Sequence, residues 1–276
     1  MNLVLQGPDA TPAQAAELAA MTRASACEAL AAHAFRFSAA NPTHNLAAWC
    51  ESRRLDHAWV PAGRRFDRLK LLAMDMDSTL ITIECIDELG AFMGRKAEIA
   101  AITEQAMRGE IDYAESLRRR VALLAGLEEG ALEDAYDERL RLAPGAEKLI
   151  EQCHRHGVKL LLVSGGFAFF AERLRERLGL DETIANVLEV EGGRLTGRVL
   201  GRIVDAEAKA ARFRQMAGRL GAGRGETLAI GDGANDLKMM AEAGVSVAFH
   251  AKPLVRASAT HALDYSGLDG VIHLYE

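Results

Sequence analysis

The chain has 276 residues, 49% hydrophobic and 26% charged, the balance of a folded protein with room for one large domain and a smaller one. Its 33 basic and 39 acidic residues leave a net charge of −6, which argues against a nucleic-acid-binding surface but permits a small anion in a locally positive pocket. No apolar run approaches the roughly 20 residues of a membrane-spanning helix. The four scattered cysteines, with no CxxC pair and no signal peptide, lead us to expect reduced, mostly buried thiols in a cytoplasmic protein.

Residues 1–66 alternate between short elements. Strands are expected at Asn2–Gln6 and Ala32–Ser38 and a helix at Thr11–Thr22, with Pro12 in its first turn. A helix over Asn45–Arg54 and an extended stretch at Ala58–Val60 follow, and the polar run from Pro61 to Arg65 is the best linker. We therefore expect a small N-terminal α/β domain over 1–66 and a larger domain over 67–276, with no chemistry in the first. A segment of this size has a marginal core alone, so it should dock on its neighbour or on a partner subunit, a homodimer being one assembly this allows.

From Leu69 the pattern changes. Leu69–Met74 is an apolar run that stops abruptly at Asp75, and Val158–Val163 and Thr227–Ile230 have the same shape, ending in Ser164-Gly165-Gly166 and Gly231-Asp232-Gly233. Such runs suit strands buried on both faces of a parallel sheet. Helical segments at Pro144–His156, Phe167–Leu178 and Asp236–Ala243 each stop at a glycine, and Val245–Phe249 adds a further strand. Strands alternating with helices define an α/β fold built on a doubly wound parallel sheet. Two insertions interrupt it: a helical cap over about 84–142, with helices expected at Tyr113–Leu124 and Ala131–Leu140, and a hairpin in which Gly192-Gly193 joins Asn186–Glu191 to Arg194–Leu200.

Ligands of open α/β sheets bind beyond the carboxyl ends of the strands. The three runs therefore bring together Asp75 and Asp77, Ser164 with its glycines, and Asp232 with Asn235 and Asp236. Clustered carboxylates suit a hard cation such as magnesium, and the glycines let an oxyanion approach backbone N–H groups. A DxD pattern alone arises by chance roughly once in a chain this long. Ser164-Gly165-Gly166 alone could be a mere helix-entry turn, and Lys209 alone a solvated helix lysine. The ordered set is far more specific than its parts.

Asp75-Met76-Asp77-Ser78-Thr79, Ser164, Lys209 and Gly231-Asp232-Gly233-Ala234-Asn235-Asp236 resemble, in that order, the four motifs of the haloacid dehalogenase superfamily. From Leu69 onward the chain is similar to the branch of that family acting on phosphoserine, through Glu84, the run Glu115-Ser116-Leu117-Arg118-Arg119-Arg120-Val121 and Ser164-Gly165-Gly166-Phe167. The resemblance implies a Rossmann-like sheet and magnesium-dependent hydrolysis of a small phosphate monoester, phosphoserine, in serine biosynthesis. It implies Asp75 as nucleophile, forming an aspartyl phosphate, and Asp77 as general acid and then base. Asp75, the Asp77 carbonyl and Asp232 would hold the metal. Lys209, Ser164 and the Gly165 N–H would bind phosphoryl oxygens, and Asn235 and Asp236 would orient the phosphate, Lys209 and the metal shell. Glu84 would take the substrate ammonium and Arg118 its carboxylate, leaving Arg119 and Arg120 solvated. A dehalogenase proper does not fit, since halide leaves without the proton that Asp77 would donate. Transfer of the phosphoryl group to another alcohol, a different small phosphate ester, and an inactive amino-acid sensor stay as alternatives.

Overall fold

Residues 1–276 are described by a computed structural model. The chain opens with β1 (Asn2–Gln6), α1 (Pro12–Thr22), β2 (Ala26–Ala31), β3 (Ala34–Ser38), α2 (Leu46–Glu51) and β4 (Asp56–Val60). Thr11 caps α1: its hydroxyl accepts from the Gln14 amide while the Gln14 side chain accepts from the Thr11 amide. The four strands form an antiparallel sheet in the order β2-β3-β1-β4. Strand β2 was not expected, and the reason is physical. It is an edge strand whose residues Ala26–Ala29 are all exposed, so Ala-Cys-Glu-Ala shows no alternation of apolar and polar side chains.

The larger sheet starts at β5 (Leu71–Met74). Helices α3 (Cys85–Phe92), α4 (Lys96–Met107), α5 (Tyr113–Ala122) and α6 (Gly130–Asp134) follow, then α7 (Ala146–Arg155). Next come β6 (Lys159–Phe167), α8 (Ala168–Leu178), β7 (Glu182–Glu191), β8 (Arg194–Leu200) and α9 (Ala206–Arg219). The chain ends with β9 (Thr227–Gly231), α10 (Leu237–Glu242), β10 (Val245–Phe249), α11 (Pro253–Ser258) and β11 (His261–Leu263). Strand order is β11-β10-β9-β5-β6-β7-β8, parallel throughout except for the edge pair β7–β8, which is the expected hairpin.

The apolar runs are continuous because both faces of this sheet are covered. Leu72, Met74, Leu160, Leu162, Leu228 and Ile230 point into one core with Leu149 of α7 and Phe170 of α8. Leu71, Ala73, Leu161, Val163 and Ala229 point into the other, against Phe213 of α9, Met239 of α10 and Val255 of α11. Cap and sheet meet at two places: at the base, where Ile81 pairs with Leu142 and the Ala143 amide donates to the Leu80 carbonyl, and at the β7–β8 hairpin, where Glu128 pairs with Arg194. No helix is long and apolar enough to cross a membrane. The four cysteines are free thiols; Cys50, Cys85 and Cys153 are buried, whereas Cys27 is exposed on β2.

The N-terminal sheet is joined to the last residues of the chain. Val4, Ala58 and Val60 belong to the same core as Leu268, Val271 and Leu274. Polar contacts fix the register: Gln6 Nε2 donates to the Gly270 carbonyl at 3.1 Å, and Asn2 Nδ2 to Glu276 Oε1 at 3.0 Å. The buried Asp56 carboxylate accepts three backbone amides, from Asp264 (2.8 Å), Tyr265 (3.2 Å) and Ser266 (2.8 Å). Removing that carboxylate orphans three donors at a dry junction. Asp56→Ala is therefore expected to cost about 2–4 kcal/mol in urea denaturation, with Asp56→Asn recovering part of it. A loss within error of zero would show that the junction contributes nothing to stability.

Candidate active site

Strand β5 delivers Asp75 to the edge of the sheet, and the next residues leave the strand sharply: Asp77 is extended and Ser78 takes a left-handed φ of 56°. The Asp75 carboxylate accepts from the Met76 amide at 2.7 Å and from Lys209 Nζ at 2.8 Å. Lys209 sits in the first turn of α9, which Asp205 caps by accepting from the Ala208 amide. It is 0% exposed and its ammonium also lies 2.8 Å from Asp236 Oδ1. The solvated lysine expected from that residue alone is thus one of the most enclosed side chains in the protein. Asp236 Oδ2 in turn accepts from the Gly233 amide at 3.1 Å.

Beside Asp75, strand β6 bulges. Val163 pairs with Ile184 and Phe167 with Asn186, so Ser164, Gly165 and Gly166 stand opposite a single residue of β7. The Gly166 amide donates to Ser164 Oγ at 2.8 Å. Asn186 holds the bulge from behind, donating to the Gly165 carbonyl at 2.8 Å and accepting from the Val204 amide. The glycines are needed for space: a Cβ on Gly165 would lie 2.1 Å from the Tyr113 hydroxyl, and one on Gly166 would lie 2.5 Å from Asp77 Oδ2.

Above these residues is a cavity of about 430 Å³, closed on its far side by the cap. Asp75, Asp77, Gly165, Gly166, Asp232 and Asn235 line its floor, with Ser164, Lys209 and Asp236 buried around it. The cap contributes Tyr113, whose hydroxyl donates to the Gly165 carbonyl at 3.0 Å, and Glu84, which accepts from the Ser78 hydroxyl at 2.7 Å. Arg118 is not part of it. Its side chain is 63% exposed and it lines a separate cavity with Arg198 and Arg202. The guanidinium that does face the catalytic cavity belongs to Arg120, and Lys252 adds a second cation at the rim. The structure therefore corrects the expected placement: Arg120, not Arg118, lines the catalytic cavity. Helical phase explains the exchange: Tyr113, Ser116, Leu117 and Arg120 recur at the spacing of one helix face, and Arg118 falls two residues out of step. That signal was available in the sequence.

Burial, then the neighbouring Asp236, raise the Asp75 carboxyl well above the usual range, with Lys209 opposing. Asp77 is pushed up to about 7 by burial and then by Glu84, and Asp232 to about 6 by burial and then by Asp236. For Lys209, burial pulls down but Asp236 and Asp75 outweigh it, so the ammonium stays charged. Ligand oxygens of Asp75, Asp232 and Asp236 lie within 4.8 Å of one another. Both oxygens of Asp75 are engaged, by the Met76 amide and Lys209, as are both of Asp236, by Lys209 and the Gly233 amide, whereas Asp232 accepts only from the Thr79 hydroxyl at 3.3 Å and is the least committed of the three. Three carboxylates, two of them paired with the one ammonium and all offering hard oxygen, fit a small divalent cation.

A family model for haloacid dehalogenase-like hydrolases matches residues 72–241, and one for a domain of unknown function matches residues 3–45. The chain is 55% identical over 210 residues to the phosphoserine phosphatase of Polaromonas sp. strain JS666, covering 74% of this chain and 89% of that one. Among solved structures it is similar to a probable phosphoserine phosphatase from Vibrio cholerae in unliganded form. The TM-score is 0.87 at 37% identity, over 99% of this chain and 85% of the other. A substrate-bound phosphoserine phosphatase complex superposes with a TM-score of 0.71 at 36% identity, over 75% of this chain and 99% of that one.

Lys209→Met would leave Asp75 and Asp236 buried without their cation, an arrangement expected to cost about 3–5 kcal/mol near neutral pH. With the ammonium gone, the already raised Asp75 pKa rises further. A carboxyl raised in the folded state binds protons preferentially there, so it opposes folding most at high pH and the penalty shrinks as pH falls through the folded pKa toward the unfolded value. Denaturation without added metal should show the gap to the parent narrowing on acidification. A pH-independent gap would rule out this electrostatic account.

Proposed function

We propose that this chain, which belongs to the haloacid dehalogenase-like hydrolase family, hydrolyses O-phospho-L-serine to L-serine and phosphate. One observation carries the substrate. The cap places one carboxylate, Glu84, and one guanidinium, Arg120, over a floor of Asp75, Asp77 and Asp232. A zwitterionic amino-acid head needs such a pair: Glu84 takes the ammonium, and the planar fork of Arg120 suits the carboxylate.

Asp75 attacks phosphorus while Asp77, whose pKa of about 7 leaves it partly protonated at neutral pH, gives its proton to the departing serine oxygen. The products of this half-reaction are serine and an aspartyl phosphate on Asp75. Asp77, now a carboxylate, takes a proton from water as the water oxygen attacks the same phosphorus, and Asp75 is released with phosphate. Lys209 opposes the burial-driven rise of the Asp75 pKa, favouring the carboxylate that attacks, and adds positive charge behind the phosphoryl group. Ser164 and the Gly165 N–H bind phosphoryl oxygens, and Asn235 orients the group. The cation is magnesium in this reading, held by Asp75, the Asp77 carbonyl and Asp232. When bound, it neutralises the two anions that meet in the attack. Residues 1–66 form a small α/β domain and 67–276 the catalytic one, capped over about 84–142. A cytoplasmic setting and the serine-forming step of serine biosynthesis complete the reading.

Phosphate release from phosphoserine should require magnesium, and Asp75→Asn should abolish it with the fold intact by circular dichroism. Full turnover after metal stripping in chelator, or near-normal turnover of Asp75→Asn, would refute the mechanism. The cap assignment is tested separately. Arg120→Ala should lower kcat/KM for phosphoserine roughly ten- to a hundredfold more than for an aryl phosphate, as expected for a lost charged hydrogen bond. Arg118→Ala should leave that ratio unchanged. The opposite ranking would return the role to Arg118.

A further inference from the structure

Helix α5 has two working faces. Tyr113, Ser116, Leu117 and Arg120 look into the catalytic cavity, while Ala114 and Arg118 look away from it into a second cavity of about 510 Å³. The opposite wall of that second cavity is the end of β8 and the segment leading into α9, with Arg198, Gly201, Arg202 and Asp205. Three guanidiniums therefore converge on one concavity from two different parts of the fold.

Their charges are not equally compensated. Arg198 is paired with Glu189 and Glu191, at 2.5 and 3.3 Å. Arg118 has only Glu115 at 4.0 Å, and that carboxylate is already engaged by Arg119 at 2.7 Å. Arg202 forms no ion pair within 4.0 Å. The acidic residue in the cavity wall, Asp205, uses one oxygen to cap α9, so one carboxylate stands against the three guanidiniums of the lining. Gly197 and Gly201 keep the wall on that side free of bulk. Arg202, without an ion pair, and Arg118, with only a long one, line the same open space, and a multivalent oxyanion held there would complete the pairing of both, with planar forks matched to its oxygens.

We propose that this second cavity binds a tetrahedral dianion of the phosphate class, bridging Arg118 of the cap to Arg202 of the sheet body. The bridge has a consequence for the catalytic cavity, because each side of it continues there: α5 carries Tyr113 and Arg120, and the segment after Arg202 runs through Ala206, which lines the catalytic cavity, to Lys209. An anion held between them restrains the cap helix relative to the residues that position the nucleophile. The ligand is either free phosphate or the phosphate group of a small organic molecule; both present the same three oxygens.

The probe is radiolabelled sulfate, measured by equilibrium dialysis against the full chain at constant ionic strength in chloride. Metal is removed with chelator, and the sulfate retained by Arg202→Gln measures any anion held in the catalytic cavity instead. The parent should bind about one equivalent, and Arg202→Gln should weaken binding roughly tenfold or more while its turnover of an aryl phosphate with magnesium stays that of the parent. Crystals soaked in tungstate should show anomalous density between Arg118 and Arg202, lost in the variant. Displacement of sulfate by both inorganic phosphate and methylphosphonate would identify the ligand as a phosphate group in general, and displacement by inorganic phosphate alone as the free ion. No binding at millimolar sulfate, or equal binding by parent and Arg202→Gln, overturns the proposal.

Discussion

The ammonium of Lys209 is the charge on which the catalytic floor depends. Asp75 and Asp236 are both buried, and the effective cost of burying an ion is several kcal/mol unless a partner of opposite sign is held beside it. One ammonium 2.8 Å from each carboxylate meets that condition for two elements at once, the end of β5 and the loop after β9. Helix α9 must then pack where its first turn reaches both, and Phe213 and Met216 of the same helix lock it against the sheet. Space follows from charge. A Cβ on Gly231 would fall 2.5 Å from the Asp236 carboxylate, so the glycine spacing around Asp232 is what lets Asp236 fold back to the lysine.

This arrangement also explains which parts of the fold were legible in the sequence. The strands β5, β6, β9 and β10 announce themselves because each is buried on both faces and so reads as a mostly apolar run. Their ends coincide with the acidic and glycine-rich motifs, so the convergence of Asp75, Asp77, Ser164, Asp232 and Asn235 was readable from chain order alone. What periodicity could not supply was the burial of Lys209. A lysine in the first turn of a polar-looking helix resembles a solvated one until the two carboxylates that enclose it are placed. Strand β2 stayed hidden for a related reason: an edge strand with solvent on its side chains leaves no pattern to read.

The arginine run of the cap required angle rather than identity. Consecutive positions on a helix differ by about 100°, so Arg118 and Arg120 look in nearly opposed directions although both stand in the same motif. Matching the motif selects the run but not the member. The Tyr113–Ser116–Leu117–Arg120 phase selects the member, because Leu117 and Ser116 are buried and define the inward face. Glu84 needed no such correction, since it precedes α3 and sits at the base of the cap.

The N-terminal sheet adds a constraint from the other end of the chain. It makes no part of the catalytic cavity, yet Arg36 donates to the carbonyls of His273 and Tyr275, and Asp56 gathers the amides of 264–266. The backbone anchored in this way is continuous with β11, and through β10 and β9 with Asp232. On the same surface, Arg64 lies 2.7 Å from His261 of β11, whose pKa is driven down to about 4 by burial and then by that guanidinium, so the ring stays neutral and able to accept. The N-terminal segment thus meets the outer part of the sheet, away from the inner strands that carry the carboxylates. The cap is held at two places, by the Ile81–Leu142 pairing at its base and by backbone hydrogen bonds linking Gly126, Leu127 and Glu129 to the β7–β8 hairpin.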